Sequence, residues 1–289
     1  FDSIDNDALM AHVQQRVMDR CVLRLLRDAV TVGYRDDNGR RQRQHRGTQQ
    51  GVVISPLLAY IVLNEAMDKT VHRWRQTHAR GQVYIVRYAD DAVIGCEYDT
   101  DAQALRAELK TALSAYGLSL NEAKTRLVRF GRQNPPNGPG RSDSFDFLGF
   151  THIAGRDRKG RYLVKRKTAR KRLSRQLEAF KHWCRAHRHE PMAWQHRKLS
   201  EKLAGHYAYF GIRGNLDSMA RLRAHVWHYW RQCLRRRSQT SRKARITSLL
   251  NERFILPLPR ITHPDNWLAL NPGDLLGRAG CGKAARPVL

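Results

Sequence analysis

Two adjacent carboxylates, Asp90 and Asp91, sit inside Gln82–Gly95, Gln-Val-Tyr-Ile-Val-Arg-Tyr-Ala-Asp-Asp-Ala-Val-Ile-Gly. Neighbouring like charges repel, and a divalent cation between them removes that cost. Hard oxygen donors of this kind hold Mg²⁺ against phosphate groups, where the ion polarises phosphoryl oxygens and activates an attacking hydroxyl. A solvated Asp–Asp turn is the competing reading, and the pair alone does not separate the two. The five cysteines, Cys21, Cys96, Cys184, Cys233 and Cys281, are scattered without a Cys-x-x-Cys pair. Zinc and redox motifs are therefore unsupported, and reduced thiols in a cytoplasmic setting are expected.

The elements that must position the carboxylates follow from the flanking residues. Apolar runs rich in β-branched and aromatic residues on both sides predict a β-hairpin with Asp90 and Asp91 at its break. Upstream, Asp7 can cap a helix running to about Val32, and Asp36-Asp37-Asn38-Gly39 is a turn within a polar, basic hairpin or loop. Ser55 as N-cap and Pro56 as first helical residue predict a helix reaching Trp74, with Ile54, Leu58, Ile61, Leu63, Val71 and Trp74 on its core side. Downstream, Thr100 can cap a helix over Asp101–Tyr116 that ends at Gly117. A Pro- and Gly-containing loop over Gln133–Ser144 leads into Phe145-Asp146-Phe147-Leu148-Gly149-Phe150, which reads as a tight strand turn.

Charge divides the chain. The formal net charge is +27, and residues 1–150 carry 21 Lys and Arg against 18 Asp and Glu, whereas residues 151–289 carry 32 against 8. A polycation with interleaved aromatics points to nucleic acid, because neutralised phosphates dominate that affinity. After a basic hairpin over Gly155–Tyr162, amphipathic spacing predicts three helices, Thr168–His187, Pro191–Phe210 and Leu216–Arg237. Residues 257–289 show no periodicity and are expected to be irregular. No run of about 18 apolar residues is present, so no membrane span is expected.

Tyr88-Ala89-Asp90-Asp91 resembles the signature of reverse transcriptases. Gly47-Thr48-Gln49-Gln50-Gly51-Val52-Val53-Ile54-Ser55-Pro56-Leu57-Leu58 resembles the Gln-Gly-x-x-x-Ser-Pro-x-Leu block of the same enzymes. The detailed likeness is to bacterial group II intron reverse transcriptase/maturases, and it extends from Phe1 to about Pro264. The implied fold class is α+β: a reverse-transcriptase palm, an antiparallel sheet with packed helices, over residues 1–152, then an all-α basic thumb/maturase three-helix bundle over 153–256 and an irregular tail over 257–289. His206-Tyr207-Ala208-Tyr209-Phe210-Gly211 resembles the maturase (thumb) signature.

The resemblance also assigns roles. Asp90 is implied as a Mg²⁺ ligand and Asp91 as a ligand or an orienting neighbour. Lys124 matches a lysine proposed to protonate the pyrophosphate leaving group, although a surface lysine beside Glu122 accounts for it equally. Phe1, Gln50 and Gly51 match the nucleotide site, and Phe147, Leu148 and Gly149 the primer grip. Gln49, Val52 and Tyr60 depart from the family's usual Pro, Gly and Asn. Phe-Asp-Ser-Ile-Asp at residues 1–5 resembles the tail of the first polymerase motif, whose metal-binding Asp would precede Phe1, as would the fingers. The expected function is RNA-directed DNA polymerisation together with intron-RNA binding in splicing and mobility, with polymerisation by this chain expected to be impaired. The implied partners are a group II intron RNA, an RNA template, a DNA primer and dNTPs. The alternatives are an RNA-binding splicing maturase without polymerase activity and a truncated relic.

Overall fold

The computed structural model describes residues 6–31, 34–35, 41–42, 54–131, 144–156, 159–237, 243–263 and 286–288. The chain divides into two compact units, Phe1–Asn134 with Lys283–Leu289, and Pro135–Gly282.

The first unit opens with α1 (Asn6–Gln14) and α2 (Arg20–Thr31). The sequence predicted one helix here. Instead Asp19 restarts it: its Oδ1 accepts hydrogen bonds from the backbone N–H groups of Cys21 (2.7 Å) and Val22 (3.2 Å). A short acidic side chain competes for such orphan donors better at a cap than inside a helix. A small antiparallel pair follows, β1 (Tyr34–Arg35) with β2 (Arg41–Gln42). Next come α3 (Ser55–Leu63), a π-helical turn over Asn64–Asp68, and α4 (Lys69–Thr77). Ile54, not Ser55, holds the N-cap position of α3, without a side-chain cap bond, while Pro56 sits in the first turn as its missing N–H allows.

β3 (Val83–Tyr88) and β4 (Asp91–Cys96) form the expected antiparallel hairpin, with Tyr88 opposite Asp91 and Val83 opposite Cys96. The short strand Arg286–Val288 pairs antiparallel with the far edge of β4. α5 (Asp99–Ser114) has Tyr98, not the expected Thr100, at its N-cap, and the chain turns away from its end at Gly117 as predicted, with φ +70°. Leu118 N–H donates to the Leu113 carbonyl and Gly117 N–H to Ser114, which is the paired closure of a Schellman motif. Val71, Trp74, Val83, Ile94, Cys96, Ala102, Leu105 and Leu109 form one core; Leu9, Val13, Val30, Leu58, Ala59 and Val62 form another.

The second unit starts with a three-stranded antiparallel meander, β5 (Ser144–Phe147), β6 (Phe150–Arg156) and β7 (Tyr162–Thr168). It continues with α6 (Arg170–Ala186), α7 (Met192–Phe210) and α8 (Leu216–Arg235), close to the predicted spans. A further helix, α9 (Lys243–Glu252), adds Ile246 and Leu250 to the same core, so the described residues carry four helices here where three were expected. Met219, Leu222, Val226, Trp230 and Leu234 of α8 recur every three or four residues and are all buried, as the helical period demands. Trp230 is fully buried and its Nε1–H donates to Gln195 Oε1 at 2.6 Å; the Gln195 amide in turn donates to the His187 and Glu190 carbonyls. Residues 255–262 lack regular structure yet are pinned: Tyr207 OH donates to the Pro257 carbonyl (3.2 Å) and Thr262 N–H to that of Gly211 (2.8 Å).

Candidate functional site

Alternation along β3 puts Val83, Ile85 and Arg87 on one face of the strand. Val83 and Ile85 meet the core, and Arg87 extends the same face toward the hairpin turn with its side chain 4 % exposed. A buried guanidinium needs a carboxylate. Asp68, at the end of the π-helical turn, provides it: Nε donates to Oδ1 at 2.8 Å and a terminal amine donates to Oδ2. The Asp68 hydrogen bond is the main reason the Arg87 pKa is raised, with burial opposing it. In the π turn Lys69 N–H reaches Asn64 C=O, five residues back, which advances the helical register just where Asp68 must face Arg87. The guanidinium also lies over the Tyr60 ring, 4.2 Å from its centroid, so the residue that departs from the family pattern has a packing role.

Arg87 donates a further hydrogen bond to the Ala89 carbonyl at 3.0 Å. Ala89 and Asp90 connect β3 to β4, and Ala89 has φ +51°, left-handed backbone for a residue with a Cβ. Positive φ at the first connecting residue alone is the pattern of a type II′ turn, where glycine is preferred. Alanine there costs about 1–2 kcal/mol. Arg87 thus braces a strained turn at the carboxylates. The base of the hairpin is braced as well: buried Asp101 accepts from the N–H groups of Arg80 (2.9 Å) and Gly81 (3.2 Å), and Glu97 accepts from Gln82 N–H (3.0 Å).

Asp90 and Asp91 are exposed at this tip, and among the described residues no hydrogen bond or ion pair engages either carboxylate. Two uncommitted hard oxygen donors fit Mg²⁺, an ion that keeps waters and takes one or two carboxylates plus substrate phosphates. Among the described residues no third His, Cys, Asp or Glu joins them in a metal-sized group. Lys124 is exposed in the turn after α5; its N–H donates to Asn121 C=O (3.0 Å), and no contact among the described residues joins it to Asp90 or Asp91. Glu122 pairs with Lys110 at 2.8 Å rather than with Lys124. Phe1, Gln50 and Gly51 lie outside the described residues.

In the second unit Leu148 (φ +50°) and Gly149 (φ +79°) form the two-residue turn between β5 and β6, with Phe147 opposite Phe150. Positive φ at both positions is the type I′ pattern. Tyr209 OH donates to the Leu148 carbonyl and Ala169 N–H to that of Gly149, each at 2.9 Å. Buried Asn215 ties this region together: its Oδ1 accepts from Thr168 N–H (2.8 Å) and its amide donates to the Phe210 carbonyl (2.9 Å). Of the signature aromatics Tyr207 and Phe210 are core, whereas Tyr209 is 51 % exposed.

Sequence reasoning missed Arg87, Asp68 and Asn215. A charged residue on the core face of an apolar strand was the available signal for the first, since such a charge must find a partner. Nothing local marks Asp68 or Asn215, whose partners are 19 and 47 residues away.

Comparison with protein families matches residues 1–152 to the family described as "Reverse transcriptase (RNA-dependent DNA polymerase)". Among curated proteins, "Protein YkfC" of Escherichia coli is 31% identical over 193 residues, covering 57% of this chain and 47% of that protein. The "Putative COX1/OXI3 intron 1 protein" of Saccharomyces cerevisiae is 24% identical over 174 residues, covering 44% of this chain and 21% of that protein. The "Uncharacterized 91 kDa protein in cob intron" of Schizosaccharomyces pombe is 38% identical over 65 residues, 22% of this chain and 8% of that protein. The matched region thus spans less than half the length of each of these relatives.

Proposed function

Given that the chain belongs to the reverse transcriptase (RNA-dependent DNA polymerase) family, we propose that it supplies the Asp90–Asp91 centre and the nucleic-acid surface of an RNA-directed DNA polymerase that also acts as a group II intron maturase. The observation that carries this reading is the pair of uncommitted carboxylates on a strained turn braced by Arg87. In nucleotidyl transfer the primer 3′-hydroxyl loses its proton to solvent, its oxygen bonds to the α-phosphorus of the dNTP, and the bond from that phosphorus to the pyrophosphate oxygen breaks. Mg²⁺ held by Asp90 and Asp91 would lower the charge on the phosphates and the pKa of the attacking hydroxyl. Lys124 gives a proton to the leaving pyrophosphate. The turn of Phe147, Leu148 and Gly149 holds the primer strand, and Phe1, Gln50 and Gly51 belong to the nucleotide site. The basic residues beyond 150 hold the RNA template and the intron RNA through their phosphates.

The test is primer extension on an RNA template with Mg²⁺, beside an Asp90→Ala, Asp91→Ala control. Extension that vanishes in the control supports the assignment, and extension that survives it refutes it. A second reading, intron-RNA binding in splicing without polymerisation, is favoured by the charge imbalance between the two halves and by relatives named as intron proteins. A splicing assay with Asp90→Ala protein separates the two: unchanged splicing supports an independent RNA-binding role, and abolished splicing removes it.

A further inference from the structure

Beside the Leu148–Gly149 turn the second unit carries an open-mouthed hollow of about 430 Å³, lined among others by Arg172, Trp183, Lys202, Gly205, His206 and Tyr209. That volume is in the range of small-ligand sites. Three features set it apart from an accidental groove. Among the described residues neither Arg172 nor Lys202 is ion-paired, and Lys202 lies over the Trp183 ring, 5.9 Å from its centroid. His206 is 8 % exposed, and among the described residues its Nε2 has no hydrogen-bond partner. Such an orphan polar atom costs about 1–3 kcal/mol until something satisfies it. Gly205, inside α7, has nothing among the described residues within 4 Å of where a Cβ would stand. A helix-interior glycine costs about 1 kcal/mol relative to alanine, and neighbouring atoms do not demand it here. A methyl there would leave the hollow open, and only a longer side chain would fill it.

The chemistry of the walls selects the ligand. Two cations suit one or two phosphates, aromatic rings suit a planar heterocycle, and a lone imidazole nitrogen suits a base edge. Burial pushes the His206 imidazole down to about 4, so it is neutral at neutral pH and reads a donor or an acceptor rather than a charge. We infer that this hollow takes one unstacked nucleotide of a single-stranded RNA, its base against Trp183 and Tyr209 above His206 and its phosphates at Arg172 and Lys202. Recognition of splayed-out bases on aromatic side chains is the general mode for single-stranded RNA. Nε2 lies beneath the present surface, so a base edge reaches it once the lining of the hollow shifts. The inference rests on the RNA-binding reading above and adds a base-specific element to a contact otherwise made through phosphates.

The test uses fluorescence anisotropy with a labelled single-stranded RNA and with the fully paired duplex of the same sequence. Gly205→Leu plugs the hollow, and Gly205→Ala keeps it open. The expected result is that Gly205→Leu weakens single-strand binding about tenfold or more, the effect of one stacked base. Duplex binding stays within about twofold, and Gly205→Ala matches the wild type for both. Arg172→Ala should weaken single-strand binding and lower the salt slope by about 0.7. If Gly205→Leu melts below the wild type, Arg172→Ala carries the comparison by itself. Unchanged single-strand affinity, or an equal loss on the duplex, overturns the inference and leaves the RNA-binding reading intact. A wild-type protein that binds no RNA at low salt overturns both.

Discussion

The Arg87 guanidinium donates to the carbonyl of Ala89, two residues on, at 3.0 Å while its other nitrogens hold Asp68. One side chain thereby couples the helix that follows the Ser55-Pro56 segment to the turn that carries Asp90 and Asp91. Removing Arg87 leaves Asp68 without its cation and the Ala89 turn without its brace. Arg87→Ala should lower stability by about 3 kcal/mol, at the low end for breaking a buried pair because Asp68 is partly solvated. Asp68→Ala should cost a similar amount, and the double variant should fall short of additivity by about 1–3 kcal/mol. Urea unfolding of the four proteins measures this; additive losses would mean the two residues act separately.

The tip of the hairpin should behave oppositely. Asp90 and Asp91 are exposed and, among the described residues, neither carboxylate makes a hydrogen bond or ion pair, so Asp90→Ala should change stability by no more than about 0.5 kcal/mol. Activity should respond without stability: Mg²⁺-dependent extension is lost while the thermal transition stays in place. A large drop in melting temperature would assign the pair a structural role.

Asn215 is fully buried and serves Thr168 N–H, Thr168 Oγ1 and the Phe210 carbonyl at once. Asn215→Ala strands the buried Thr168 N–H, at about 1–3 kcal/mol, while the Phe210 carbonyl keeps the Ile212 N–H at 2.8 Å. Asn215→Asp keeps the acceptor, loses the amide donor to Thr168 Oγ1 and the Phe210 carbonyl, and buries a charge, so it should also destabilise. Denaturant midpoints for both variants check this; an aspartate variant as stable as the wild type would show that the Phe210 contact contributes little.

Stability should fall on mild acidification. His206 has its pKa lowered from 6.5 to about 4 by burial. The unfolded chain takes up a proton near pH 6.5 and the folded chain only near pH 4. The contribution is therefore fully present above about pH 6.5, is lost as pH falls toward 4, and levels off below. The slope from this one group reaches about 1.4 kcal/mol per pH unit. His206→Phe should flatten the stability profile between pH 6.5 and 4 relative to the wild type, and an unaltered profile would locate the effect elsewhere.

Thiol reactivity should follow burial. Desolvation pushes Cys96 and Cys184 up to about 12, with small further rises from Asp101 and Cys233 respectively. Cys21 is exposed. The thiolate is the reactive form, so iodoacetamide at pH 8 should label Cys21 quickly and spare Cys96 and Cys184 until urea unfolds the chain. Mass spectrometry of the peptides reads the order directly.

Local chemistry was enough for several elements. Apolar runs rich in β-branched and aromatic residues around Asp90-Asp91 specified β3 and β4, and Gly117 specified the close of α5 because a left-handed residue ends the helix there. The helical period of Leu222, Val226 and Trp230 specified α8. Where a single side chain could serve two local roles the reading slipped. Asp19 interrupts what the apolar spacing suggested was one helix, and Ser55 sits inside α3 while Ile54 takes the cap. The fourth helix, α9, carries too short an apolar pattern to stand out by itself.

The sequence alone determined which residues could do chemistry: an Asp pair on a hairpin, motifs shared with reverse transcriptases, and a strongly basic second half. Each of these is a property of neighbours along the chain, readable from periodicity, turn preference and charge. Only the tertiary structure decided that Arg87 faces Asp68 and Tyr60, that Ala89 is held in left-handed backbone, and that His206 lines one hollow with Arg172 and Lys202, neither of them ion-paired among the described residues. The physical reason is sequence distance. Burial makes each of these groups seek a partner, but which residue meets that need is fixed by how distant segments pack.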